Sequence, residues 1–324
     1  MAKQDYEEAA KREILSQEGE IPPQVVHPEG VPEYKTLGKV QTRKALDETQ
    51  SGFQDSLGYI ELKLEYLPSG GRFYPQGTKI LIRAATVKEI RHFSTMEELN
   101  AFDVDDKLNS ILIGCCKVNL GTKMGSYKDI LEEDRIYIIL SIKEATFKQG
   151  ENKITLAAKC TKCDTENAYD LKTNNLQYYE EDNNIGRYYS EDDRCYNIQT
   201  KTLGNIKMNP PSIGVMKVVT DYIRGKEEKR EPWDKAFMQL LPYIVKEWRG
   251  FDSKMIFDYE VDFQSWGVKK FNVIYSLAEK MKVGVKEELK YPCLNCGEEV
   301  TIPISFPGGI KALFVDKSFE DELL

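Results

Sequence analysis

Four of the seven cysteines fall into two C-x-x-C pairs, Cys160-Thr161-Lys162-Cys163 and Cys293-Leu294-Asn295-Cys296. Such a turn presents two thiolates to one ion, and two turns together complete a closed tetrahedral Zn²⁺ site. Cys160, Cys163, Cys293 and Cys296 are therefore the candidate metal ligands, holding one structural zinc. With four sulfurs no coordination position stays open, so the expected role is to fold and clamp, not to activate water. Gly297 follows the second pair, where a knuckle needs left-handed backbone. Asp164 holds that place in the first pair, and Asp tolerates the conformation better than most residues. The competing readings are two unrelated pairs of buried cysteines, or disulfides; the doubled spacing favours one shared site.

The segments that must position these thiols read as strands: Ile154–Leu156 and Tyr169–Leu171 around the first pair, Tyr291 and Val300–Ile304 around the second. The pattern predicts a zinc ribbon in two halves, 151–175 and 286–306. About 130 residues separate the halves, so the chain between them is an insertion whose ends return to one place. The insertion, 176–285, opens with tyrosines among acids (Tyr178-Tyr179-Glu180-Glu181-Asp182, then Tyr188-Tyr189 through Asp193). That composition reads as a solvated acidic face or a polar protein interface, since the spacing of a calcium loop is missing. A hairpin is expected around Gly204, from Tyr196–Thr200 and Asn205–Met208, and Ser212 is placed to cap the next helix. From Ser212 to Lys282 three apolar stripes follow at helical spacing: Ile213 to Ile223, Trp233 to Trp248 with a kink at Pro242, and Trp266 to Met281.

Ahead of the first pair lies a strand-helix body, 57–150. Ile60–Leu64 and Ile80–Arg83 read as strands joined through a turn at Leu67–Gly71. Thr86 with Glu89 is a capping box, Asp103 opens a second helix carrying Val104, Leu108, Ile111, Leu112 and Cys115, and Ser126 with Asp129 is a further box before the apolar run Ile136–Ile142. Cys115 and Cys116 read as core thiols. Residues 1–56 read as an extended, Pro-rich arm with a short helix at Asp5–Leu15, and Val25, Val26 and Tyr34 as apolar anchors for a partner. Residues 307–324 form a short tail whose Leu313, Phe314, Val315 and Phe319 could dock on the body or on a neighbour. The fold class is α+β: a small strand-helix N-terminal body, a zinc ribbon built from two distant C-x-x-C knuckles, and a helical insertion between them.

The stretch Leu67-Pro68-Ser69-Gly70-Gly71-Arg72-Phe73-Tyr74-Pro75, with Ile80, Ile82-Arg83 and Glu89-Ile90 after it, resembles the opening signature of the baseplate hub and hub-assembly proteins of T-even-like contractile-tailed bacteriophages. Asp134-Arg135-Ile136-Tyr137, Ile142, Phe147 and the C-x-x-C strand pair that follows are similar to the same family. The likeness covers roughly Leu62 to Leu171, and more loosely Ile198 to Gly214. It implies a structural or assembly role in the virion tail baseplate, other baseplate and tail subunits as partners, and no catalytic residues. Read by itself, Leu67–Pro75 is a turn whose aromatic residues either cover a sheet edge or meet another subunit.

The bounds agree with a protein that works through contacts. A net charge of −8 and a pI near 5.2 argue against binding that relies on phosphate neutralisation. A zinc-ribbon factor for nucleic acid is thus the alternative reading, and a metalloenzyme, which needs an open metal position, the third. His27 and His92 are the only histidines, and the sequence carries no zinc-hydrolase, phosphate-loop or nucleophile-elbow pattern. No catalytic residue, no organic cofactor and no small-molecule substrate are expected. The longest apolar runs are far shorter than a membrane span. Paired cysteines at metal spacing point to a reducing compartment, so the host cytoplasm is the expected place of folding during assembly, and the tail baseplate the destination if the protein is retained in the particle.

Overall fold

The computed structural model describes residues 58–147, 152–179, 183–201, 203–304, 306 and 309–315. The expected arm 1–56 with its helix, His27, the acids 180–182 and Phe319 lie outside the described residues. Three antiparallel strands open the body: β1 (Ile60–Leu62), β2 (Thr78–Ile82) and β3 (Cys116–Leu120), in that order across the sheet. Strand β2 is central, paired with β1 on one side and β3 on the other, and its alternate residues Thr78, Ile80 and Ile82 turn inward, as period-two patterning demands. Helix α1 (Val87–Ser94) starts at the expected capping box, where the Thr86 amide donates to Glu89 Oε2 at 2.8 Å. Helix α2 (Ala101–Cys115) begins two residues before Asp103, because the Asn100 side chain accepts from the Phe102 and Asp103 amides.

Helix α3 (Glu132–Thr146) is the axis of the body. Tyr137, Ile138, Ile139, Leu140 and Ile142 are all buried, so apolar side chains leave it in every direction, as in a helix sheathed by other elements. The Ser126–Asp129 box does not open this helix. It closes a single 3₁₀ turn, Tyr127–Asp129, with the Ser126 amide donating to Asp129 at 2.8 Å. The chain then runs extended through Ile130 and Leu131 before α3 begins.

The turn Leu67–Gly71 and the segment Asp134–Tyr137, two separate signatures in the sequence, meet at the start of α3. Asp134 is fully buried. It accepts from the Ser69 amide (2.8 Å), the Ser69 hydroxyl (2.7 Å) and the Tyr74 hydroxyl (2.8 Å), while Tyr74 Oη accepts from the Leu131 amide at 3.0 Å. Gly70 and Gly71 carry positive φ, 64° and 79°, and a Cβ on Gly71 would stand 2.8 Å from Leu64 Cβ. The glycines let the loop fold back far enough for Ser69 to reach the carboxylate. Phe73 points the other way and meets Tyr189 edge-on at 5.2 Å. This stretch is an internal junction.

Two hairpins follow the pattern read from the cysteines: β4 (Thr155–Lys159) with β5 (Glu166–Asp170), and β9 (Glu288–Pro292) with β10 (Glu299–Pro303). Between them come β6 (Tyr189–Ser190), β7 (Cys195–Thr200) and β8 (Gly204–Met208), an antiparallel sheet in that order. Next are helices α4 (Ile213–Glu228), α5 (Lys235–Ile244), α6 (Ser253–Gln264) and α7 (Val268–Lys280). Ser212 caps α4 as expected, its hydroxyl accepting from the Val215 amide at 3.3 Å. Helix α5 ends two residues after Pro242, so Trp248 lies beyond it in a loop. Helix α6 is absent from the expected stripes, although Ile256, Tyr259 and Phe263 lie on one side of it and pack into the core shared with Phe237.

The segment 176–286 leaves the first hairpin and returns to the second through paired backbone. Tyr178 bridges Val285, the Tyr179 amide donates to Gly284 O at 2.9 Å, and the Lys286 amide to Gln177 O at 2.8 Å. It is also bonded to the body. The Glu132 amide donates to Pro211 O and the Ile213 amide to Ile130 O. Asp129 accepts from Trp248 Nε1 (2.8 Å) and from both terminal nitrogens of Arg249 (2.6 and 2.7 Å). Gly214 lies under the indole, where a Cβ would come within 2.4 Å of it. The tyrosine-acid stretch divides by residue type. Tyr189 packs against Phe73 and Arg72, Glu191 and Asp192 face solvent, and Asp193 pairs with Lys207 at 3.0 Å. At the other end Leu313 and Phe314 are buried on the body, with Phe314 meeting Phe93 edge-on at 5.1 Å.

Candidate metal centre

The four paired cysteines converge. Sγ of Cys160 lies 3.7 Å from Sγ of Cys296, Sγ of Cys163 lies 3.6 Å from Sγ of Cys293, and all four sulfurs are within 4.8 Å of one another. Sulfurs about 2.3 Å from a tetrahedral zinc stand roughly 3.8 Å apart, so the cluster fits such an ion. Cys115, Cys116 and Cys195 take no part; burial raises their thiols, Cys115 to about 11 and Cys116 to about 12.

Each knuckle is built by the same backbone device. The Cys160 amide donates to Thr165 O (2.9 Å) and the Asp164 amide to Cys160 O (3.0 Å); in the second, Cys293 donates to Glu298 O (2.7 Å) and Gly297 to Cys293 O (3.0 Å). The fifth residue of each turn is left-handed, with φ of 56° at Asp164 and 73° at Gly297, as their residue types suggested. The two turns are thus near copies, and facing them across a shared axis places two sulfurs from each around one point.

The hairpins are joined without help from the sulfurs. Tyr169 and Tyr291 stack at 4.6 Å and 15°, and the Tyr169 hydroxyl donates to Pro292 O at 2.7 Å. Tyr291 donates to Asn175 O at 2.6 Å. Asn167 is fully buried between the knuckles: its Nδ2 donates to Thr165 O (2.9 Å) and its Oδ1 accepts from the Leu294 amide (2.9 Å). On the rim, Lys162 and Glu298 pair at 2.8 Å. Asn167 and Thr165 went unnoticed in the sequence. The available signal was an amide at an inward-facing position of β5, four residues past a metal-spaced cysteine.

The thiols share charge unevenly. The Thr165 hydroxyl, then its amide, draw Cys163 down to about 6, and the Cys296 amide lowers Cys293. Cys296 is pushed up to about 12: the Glu298 amide opposes this but is outweighed by desolvation and the neighbouring thiols. A cation entering the cluster displaces the protons that the thiols carry. A family model described as "T4 bacteriophage base plate protein" matches residues 59–306. No curated protein and no solved structure matches the chain. Among the described residues, no helix is long and apolar enough to cross a membrane.

Proposed function

From the premise that this chain belongs to the T4 bacteriophage base plate protein family, we propose that it is a structural or assembly component of the hub region of a contractile tail baseplate. It acts through contacts with other baseplate and tail subunits and carries one structural zinc on Cys160, Cys163, Cys293 and Cys296. The observation that supports the role most directly is the extent of the match, which runs from β1 past β10. The zinc reading is supported by the sulfur geometry and the duplicated turn. In this reading residues 151–175 and 286–306 are the halves of a zinc ribbon and 176–285 is an insertion, held at its neck by the Tyr178–Val285 pairing. The ion would supply closure: it neutralises thiolates that otherwise repel and fixes two loops far apart in the chain. No catalytic step is assigned, and the protein folds in the host cytoplasm before joining the tail.

Quantitative mass spectrometry of purified particles and of tail intermediates from one lysate tests this. A few copies in finished tails are expected for a hub subunit. Recovery in intermediates alone would make it an assembly factor, and recovery on nucleic acid instead of either would sink the proposal.

A further inference from the structure

Resting on the metal reading above, we propose that Thr165 is a positioning residue for the centre, its hydroxyl accepting from Asn295 and donating its single proton to the Cys163 sulfur once that sulfur is a metal-bound thiolate. A hydroxyl has one proton and two lone pairs. Asn295 Nδ2 lies 3.2 Å from Thr165 Oγ1 and, being an amide nitrogen, can only donate to it. Cys163 Sγ lies at the same 3.2 Å. As a free thiol it donates to Oγ1, whose two lone pairs serve both contacts; as a thiolate on a metal it has no proton to give, and the hydroxyl proton turns to the sulfur. Asn167 fixes the same residue from behind through Thr165 O and ties it to the second knuckle through the Leu294 amide. The relay therefore runs from knuckle two (Asn295) through Thr165 to a ligand of knuckle one.

The arrangement has a chemical consequence. Four thiolates around one divalent cation leave a net charge of −2, and donors to sulfur spread that excess. Thr165 supplies an O–H···S bond to one sulfur while its oxygen accepts from Asn295 of the other knuckle, so the same hydroxyl touches both halves. Metal affinity and closure of the 130-residue interval are in this way linked through a neutral side chain.

The test uses the full chain with Zn²⁺ and Co²⁺ as probes, in wild type, Thr165→Val and Thr165→Ser. Competition against a chromophoric chelator should show zinc binding on the order of 10-fold weaker in Thr165→Val, the usual size of an outer-shell loss, and restored in Thr165→Ser. With Co²⁺, loss of the O–H···S bond should move the thiolate-to-metal charge-transfer band to lower energy in the valine variant only. Thr165→Val with wild-type affinity and an unmoved band would overturn the proposal, as would equal weakening in both variants, which would mark the methyl group as the cause. A wild-type chain that binds neither ion would instead overturn the metal reading itself, and this inference with it.

Discussion

The Asp134 junction and the cysteine cluster both gather groups from distant stretches around concentrated negative charge, and they are completed in opposite ways. Asp134 is buried and receives three donors from the protein itself, two from Ser69 and one from Tyr74. Those donors answer the carboxylate within the chain and tie α3 to the preceding loop. The four sulfurs have chiefly one another as neighbours at 3.6 and 3.7 Å, close enough to share protons as thiols and to hold a cation in the protons' place. A buried carboxylate met by donors of its own chain makes a joint; four converging thiols with few other partners could hold an ion.

The comparison is broken most decisively at the cysteines. Cys293→Ala should fall from one zinc per chain to none by elemental analysis. It should also lose the stabilisation that zinc gives the wild type, about 4 kcal/mol when free zinc is a thousandfold above its dissociation constant. A chelator should reproduce that loss in the wild type and leave the variant unchanged. A Cys293→Ala chain that keeps one zinc would end the single-site reading.

Tyr74→Phe tests the joint. It removes a donor to a buried carboxylate and the acceptor for the Leu131 amide, and should cost about 2 kcal/mol in urea denaturation. Zinc content should stay at one. A variant that loses zinc along with stability would show that the two regions are not independent.

The smallest and sharpest test is Glu133, next to Asp134 on the same turn of α3. Its Oε2 is buried with no hydrogen-bond partner among the described residues. Burial, then the charges of Asp134 and Glu132, push its carboxyl well above the usual range, against the pull of its own amide. The folded state thus binds this proton more tightly than the unfolded chain does. Its contribution is complete below the unfolded carboxyl value of about 4.3 and declines as pH rises through the folded one. Glu133→Gln should flatten that decline and raise the denaturation midpoint at neutral pH. Parallel pH profiles for the two proteins would show that the carboxyl is accommodated in the folded state after all.

Local chemistry was legible in the sequence. The C-x-x-C spacing, the left-handed position after each pair, the Thr86–Glu89 box and the Gly204 hairpin depend on residues within a few positions of one another. Expectations failed where distant packing outweighed local signals. Asn100 took the cap of α2 from Asp103. The Ser126 box closed one 3₁₀ turn because Ile130 and Leu131 are held extended by Pro211, Ser212 and Ile213. Helix α6 was missed because its exposed side carries Met255, Phe257 and Val261, which blur the stripe made by Ile256, Tyr259 and Phe263.

By itself, then, the sequence determined the paired thiols, the turn geometry of each knuckle, the α+β class and the likeness to baseplate proteins, because all of these are written in short-range spacing. Only the tertiary structure decided that the two pairs share one centre, that Ser69 and Tyr74 serve Asp134, and that Asn167, Thr165 and Asn295 stand behind the sulfurs. Apart from the Thr165 contacts with Cys163 and Asn167, each two positions away, those contacts join residues 60 to 136 positions apart. No local pattern encodes which distant partner a buried polar group will meet; that follows from how the hairpins and α3 pack, where every buried donor and acceptor must find its match.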